Sequence, residues 1–457
     1  MIEKVISDIE SNQDASVGRL HDLLRIPSIS TDPGHKPDMA RAAEWVHRLL
    51  VECGMESEIV ETPGHPAVLA DSGPAGVADQ TVLIYGHYDV QPVGDESLWH
   101  SPAFEPTVRD GLVYARGAAD DKGQVLAHLL AVESWMKVAG KLPVRIKFLI
   151  EGEEEIGSPN LGQLIREHSE RLSCDYVALS DTPKFDDTTP AITYGTKGMV
   201  YKEVRLFGPK QNLHSGSFGG TLTNPGNTLA AILASLRDAD NRVTIPGYYD
   251  DVRELSDQER ASIRGLPFDE AGYLAATGAP GLDGERGYST IERRWVRPTL
   301  DVNGLLSGFT GEGASTVIPA QAMAKVSMRI VPDQHPERVS AAFDQAVRSA
   351  TPDTVKLELV THSLCQPYVA PLDSAGMKAA TQAMELGFGT GPVFTREGGS
   401  LPILPLFKEV LGADSLMMGL CDPNCNAHGP NEFFGLSDFR AGMRTAAYFV
   451  HLLANSK

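Results

Sequence analysis

Cysteine is scarce in this sequence: five residues (Cys53, Cys174, Cys365, Cys421 and Cys425) in 457, an odd number without a paired spacing pattern. That excludes a disulfide framework and suits reduced thiols in a cytosol. No run of about eighteen apolar residues occurs, so no membrane-spanning helix is expected. Basic residues are outnumbered, 40 Lys+Arg against 60 Asp+Glu, for a formal charge of -20. Nucleic acid and anionic membranes are therefore excluded as general partners, although a local basic pocket is not. The first ten residues, Met1-Ile-Glu-Lys-Val-Ile-Ser-Asp-Ile-Glu10, hold acids throughout and no apolar core, so they do not read as a signal peptide. Internal repeats and low-complexity tracts are also missing.

What is present is a soluble globular chain too long for one ordinary core, so two domains are expected. Up to Tyr194, helical periodicity alternates with short β-branched runs. Examples are the helix Met39–Cys53, the strand Thr81–Tyr85, the helix Val125–Val138 and the strands Val144–Ile150 and Asp175–Leu179. Asp110-Gly111 between Phe104–Val108 and Leu112–Ala115 is a hairpin signature. This texture predicts an α/β fold with a mixed sheet, mixed on account of the hairpin, and helices on both faces. From 195 to 362 the order becomes β-α-β-β-α-β, which suits a small α+β, ferredoxin-like sheet with two helices on one face. Within it, Asn241–Arg286 reads as a long polar connection. After 363 the first texture returns and ends on the helix Phe439–Ala454. The sequence thus predicts one α/β domain, 1–194 plus 363–457, interrupted by an inserted domain, 195–362.

Chemistry-bearing residues fall beyond predicted strand ends or in glycine-rich turns. His87 and Asp89 follow the strand Thr81–Tyr85 with one residue between them. They point to the same side of an extended segment, where an imidazole binds metal through one nitrogen and a carboxylate orients the other. Gly117-Ala-Ala-Asp-Asp-Lys-Gly123 delivers two adjacent carboxylates to a helix start, and Glu151-Gly-Glu-Glu-Glu-Ile-Gly-Ser158 follows a strand. Ser180-Asp181 follows another, and Asn426-Ala-His-Gly-Pro-Asn-Glu432 comes far downstream. Each string alone has a bland reading as a cap, a solvated acidic loop or a surface histidine. Together they describe a paired-metal site with a carboxylate bridging two cations. Imidazole and carboxylate ligands suit zinc, with manganese or cobalt as alternatives.

This set is similar to the metallopeptidase family of carnosine dipeptidase, carboxypeptidase G, aminoacylase-1 and acetylornithine deacetylase. The resemblance spans nearly the whole chain in order. Asp120-Asp-Lys122, Asn212-Leu-His-Ser-Gly216, Ser315-Thr-Val-Ile-Pro319 and Arg396-Glu-Gly-Gly-Ser400 resemble the carnosinase-like, cytosolic nonspecific dipeptidase branch. The resemblance implies a catalytic α/β domain, an inserted lid and dimerisation domain, two divalent cations and a short peptide substrate. It implies that His87 and Asp181 hold one cation, Glu155 and His428 the other, and Asp120 bridges them. Asp89 would orient His87. Glu154 would be the general base, the register within Glu153–Glu155 being set by Gly157-Ser158. His214 would reach the partner subunit's site, Arg329 would pair with the substrate's C-terminal carboxylate, and Thr316 and Ser400 would add polar contacts. Two departures stand out: Asn212 where relatives often carry an acid, and the Cys421–Cys425 pair just before His428. The activity implied is cleavage of dipeptides or similarly short peptides, with an N-acyl-amino-acid deacylase or a Gly-X/glutamate-type carboxypeptidase as the alternative.

Overall fold

The computed structural model describes Met1–Ser456. Its organising strand is Thr81–His87, buried from Val82 onward. Branched and aromatic side chains at Thr81, Val82, Ile84 and Tyr85 fit a pleated, covered surface, and both faces are covered. Val82 and Ile84 line one small apolar pocket with His128 and Trp135 of the helix Lys122–Ala139 and Phe449 of the helix Leu436–Leu453. On the opposite face Tyr85 packs edge-on against Phe407 of the helix Ile403–Leu411, ring centroids 5.3 Å apart. Gly86 has a specific reason to lack a side chain. A Cβ there would stand 2.1 Å from Val125 Cγ2, so only glycine lets the helix Lys122–Ala139 pass this close to the strand end.

The chain forms two compact units. The first comprises Met1–Tyr194, Ala370–Thr395 and the chain from Leu406 onward. Its sheet runs Glu56–Val60, Ala67–Asp71, Arg145–Glu151, Thr81–His87, Tyr176–Leu179, Asp414–Gly419, Ala191–Thr196. The inner four strands are mutually parallel, and the outer ones are antiparallel to their neighbours. The sheet is mixed for that reason, and the hairpin is not the cause. Thr107–Arg109 and Leu112–Tyr114 do pair across Asp110-Gly111, both at positive φ, but they join Phe433–Gly435 in a separate three-stranded ribbon.

The second unit comprises Gly195–Val369 and Arg396–Pro405. Its antiparallel sheet has the spatial order Thr299–Ser307, Gln321–Ile330, Gly198–Phe207, Lys356–Cys365. The helices Pro225–Ser235 and Pro336–Ala350 intervene in sequence, which is the ferredoxin-like order. Along Gln321–Ile330 burial alternates. Ala322, Ala324, Val326, Met328 and Ile330 belong to the core with Leu229 and Phe343 from the two helices, while Arg329 stands on the other face. Each large member of this row contributes roughly 1.5–3 kcal/mol by burial. The stretch Asn241–Arg286 is not the plain connection expected. It holds the helices Asp257–Arg264 and Glu270–Thr277, whose N-caps Ser256 and Asp269 accept backbone N–H bonds. The first is largely polar and the second is short and buries no residue, so neither shows in an apolar-periodicity reading.

Candidate metal centre and active site

Four parallel strands end on one edge of the first unit's sheet, and that register builds the site. His87 lies opposite Glu151, and Tyr176–Leu179 runs beside Thr81–His87 with Ile84 opposite Ala178. Asp414–Gly419 runs parallel to Tyr176–Leu179. Ligands in open α/β sheets gather beyond such carboxyl ends. Here the strand ends release His87 and Asp89, Glu154 and Glu155, Asp181, and the loop that carries His428. Asp120 comes from the turn before the helix Lys122–Ala139.

The side chains converge in two groups of three that share one member. His87, Asp120 and Asp181 form the first; Asp120, Glu155 and His428 form the second. His87 Nε2 lies 3.1 Å from Asp120 Oδ1 and 3.8 Å from Asp181 Oδ2. His428 Nε2 lies 2.9 Å from Asp120 Oδ2 and 3.3 Å from Glu155 Oε2. The two oxygens of Asp120 thus face different histidines. Glu154 belongs to neither group, and neither do Cys421 and Cys425, which are buried free thiols. His428 is held at φ 63°, a backbone region non-glycine residues rarely occupy.

Supporting residues explain how these groups are held. Asp89 is fully buried beside His87 Nδ1, its carboxylate at 3.3 Å and its backbone oxygen at 3.1 Å. The same carboxylate accepts the N–H groups of Glu154 and Glu155, tying the two strand-end loops together. Glu432 is the residue that sequence reasoning passed over, although the string ending in it was singled out. Fully buried, it accepts Arg116 Nη1 at 2.7 Å and the backbone N–H groups of Gly117, Ala119 and Asp120 at 2.9–3.1 Å. It thereby clamps the turn that presents Asp120. The available signal was an acid four residues after His428, but only the fold shows what it holds.

The electrostatics are those of crowded, buried carboxylates. Burial pushes Asp181 up to about 8, with the neighbouring charge of Asp120 adding to it. Burial likewise pushes Glu154 up to about 7. Hydrogen bonds to Asp120 and Glu155 raise His428 to about 10. Burial opposes the charge on Asp120, yet hydrogen bonds from His428 and His87 hold it well below the usual carboxylate range. The donor set fits a pair of divalent cations: two imidazoles, three carboxylates and one shared member. Glu155 Oε1 is buried without a hydrogen-bond partner, as a ligand atom awaiting a cation would be.

The remaining predicted residues lie in the second unit and form two pairs. Leu213–His214 pairs with Val317–Ile318, and Ser215 donates its N–H to the backbone oxygen of Thr316, so His214 and Thr316 share an exposed ribbon. His214 Nδ1 accepts the N–H of Ser217 at 3.2 Å. Arg329 Nη1 donates to Ser400 Oγ at 2.8 Å. Asn212 Oδ1 accepts the N–H of Ala320.

Residues 83–452 match the model of peptidase family M20/M25/M40. The chain belongs to this family. Within it, the chain is 32% identical over 470 residues to the Cys-Gly metallodipeptidase dug1 of Schizosaccharomyces pombe, covering 99% of this chain and 98% of that one. It is 32% identical to the Beta-Ala-His dipeptidase of Homo sapiens, over 99% and 93% of the two chains. Among solved structures, an M20 family metallo-carboxypeptidase from Sulfolobus solfataricus superposes with a TM-score of 0.84 at 33% identity, over 96% and 99%. Family membership makes the chain a hydrolase acting on peptide bonds.

Proposed function

We propose that this protein is a two-metal dipeptidase that cleaves dipeptides or similarly short peptides with a free C-terminal carboxylate. The observation that carries the reading is Asp120, whose two oxygens belong to two separate donor groups. His87 and Asp181 would hold one cation, and Glu155 and His428 the other, with zinc the ion that imidazole and carboxylate ligands suit best. When bound, such a pair supplies Lewis-acid polarisation of the scissile carbonyl and a lowered pKa for water. Glu154, outside both donor groups, takes the water's proton and returns it to the leaving amine, a role that burial helps by raising it to about 7. Asp89 fixes the orientation of His87. Arg329, steadied by Ser400, pairs with the substrate carboxylate, and Thr316 adds a polar contact.

The inserted second unit serves as lid and dimerisation domain, presenting His214 to the partner's site. Its outer strand Thr299–Ser307 supports this assignment. Leu305 and Leu306 are 61% and 50% exposed on an edge that offers unpaired backbone groups. No helix among the described residues is long and apolar enough to cross a membrane. Five free thiols, four of them buried, support a reducing cytosol.

A carboxypeptidase is the second reading, favoured by the likeness to the Sulfolobus solfataricus structure, and the same site would serve an N-acyl-amino-acid deacylase. A turnover screen with zinc or manganese added, using free dipeptides, longer peptides and N-acetyl or N-succinyl amino acids, separates them. Dipeptides should be hydrolysed best. Turnover of blocked amino acids but not of dipeptides would replace the proposal.

A further inference from the structure

In the second unit, Arg329 forms part of the wall of a cavity of about 430 Å³. That wall is cationic. Lys197, Arg237, Arg293, Arg294 and Arg329 all line it, and among the described residues none of the five is ion-paired. Arg297, also on the wall, shows what a satisfied cation looks like here: it grips both oxygens of Glu285 at 2.8 Å. Glu285 is shared further with Arg242, and Asp283 accepts from Asn241 at 2.7 Å. Asp301 remains, held by Thr299. Five cations without an ion pair, together with the paired Arg297, outnumber Asp283, Glu285 and Asp301 on this wall and leave it net positive in a chain with 60 acids and 40 bases. Like charges so placed repel, and an entering anion would relieve them.

Lys197 makes the case sharper. It is 2% exposed, and its ammonium donates to the backbone oxygen of Arg293 at 3.0 Å. Burial, with the neighbouring Arg329, pushes it down to about 7. Asp301 and Glu397 act on it only through space, neither within ion-pair distance, and an ammonium buried this deeply gains from a closer anion. The position of the cavity indicates which ligand. Arg329 and Gly398 both line it, and Arg329 donates to Ser400, so the cavity begins where the substrate's C-terminal carboxylate is assigned. The side chain of the last substrate residue departs from the carbon that bears this carboxylate.

We propose that the cavity is the subsite for an acidic side chain, so that the preferred substrates end in glutamate or aspartate. This rests on the reading of Arg329 as the partner of the C-terminal carboxylate. Arg294, whose guanidinium lies 5.5 Å from the ring centroid of Tyr273, another wall residue, presents a planar fork suited to a second carboxylate. Glutamine has nearly the shape of glutamate without the charge, so the pair isolates the contact.

Calorimetric titration of the full-length protein with free L-glutamate and L-glutamine tests the subsite without requiring turnover. Glutamate should bind at least about tenfold more tightly, the equivalent of roughly 1.4 kcal/mol. Arg294→Ala, and separately the exposed Arg237→Ala, should bring that ratio toward one. Arg329→Ala should weaken both ligands and preserve the ratio. In parallel, kcat/KM for Ala-Glu should exceed that for Ala-Gln and respond to the variants in the same way. Equal binding of the two amino acids by the wild type overturns the proposal, as does a glutamate preference that survives both arginine variants. Inorganic phosphate that binds the wild type, is lost in Arg294→Ala and leaves glutamate affinity untouched would make the cavity a separate anion site, and also overturns it. A glutamate preference without any dipeptide turnover would support the subsite and sink the dipeptidase reading instead.

Discussion

The acids of the first unit's site divide by what holds each of them. Asp120, Asp181 and Glu155 belong to the donor groups, whereas Glu154 has no place in either. Glu154→Gln keeps the shape and removes the ability to accept a proton. We expect kcat to fall by about 10²–10⁴ with metal content unchanged by elemental analysis. If that variant loses metal while Glu155→Gln keeps it and loses turnover, the two roles are exchanged. Glu432 makes a different demand. Replacing it by Gln breaks a buried ion pair with Arg116 and turns an amide N–H₂ toward backbone donors. Breaking such a pair costs roughly 3–5 kcal/mol, and loss of an outer partner typically loosens metal about 10–100-fold. Unfolding in urea and metal-buffered titration read the two effects separately. Unaltered metal affinity would show that the clamp on Asp120 is structural only.

The strands and helices show which parts of this arrangement could be read in advance. Thr81–His87 and Tyr176–Leu179 announce themselves by apolar runs and Arg145–Glu151 by Phe148-Leu-Ile150 after an alternating start, and the acids that follow them stand out because each run stops abruptly. The ring of strand ends was legible for that reason. The pairing of Leu112–Tyr114 with Phe433–Gly435 was not, since it joins residues more than 300 apart. The clamp on Asp120 depends on that same long-range return of the chain, as Ala115 donates its N–H to Glu432 itself. The helices Asp257–Arg264 and Glu270–Thr277 were hidden for the opposite reason, the first being largely polar and the second short and without a buried face. The helix Lys122–Ala139 also carries His128, which no motif singled out. It is buried against Ser180 Oγ at 2.8 Å, and burial pushes it down to about 4 from an ordinary 6.5. The unfolded chain binds this proton between pH 6.5 and 4 while the folded one does not. Stability is therefore full above about pH 6.5 and falls by up to about 3 kcal/mol as the pH drops to 4. In metal-free protein, urea unfolding at pH 7 and pH 4.5 should show this loss reduced by about 2 kcal/mol in His128→Asn. Equal losses in both proteins would mean that His128 takes no part in the acid sensitivity.

Two units that fold around separate cores raise the question of which copy of the chain completes each site. The first unit holds every predicted metal ligand and Glu154, and the second holds His214 on an exposed two-stranded ribbon, far in sequence from all of them. His214 caps only four residues of helix, a modest structural task for an exposed imidazole. If it serves the partner's site by donating to the oxyanion formed when water attacks, its removal costs roughly 10²–10³ in kcat. Two variants then become complementary. His214→Ala chains have an intact Glu154 and cannot serve a neighbour; Glu154→Gln chains have an inert site and can. Each homodimer should be nearly inactive. After subunit exchange, half of the dimers should be mixed, and each mixed dimer should contain one working site of two. In a symmetric dimer this gives about a quarter of wild-type activity. A chain whose own His214 served its own site would show no recovery, because neither variant then has a complete set. Mixed dimers verified by mass spectrometry but inactive would therefore place His214 within its own chain, and an active His214→Ala homodimer would place it outside the reaction.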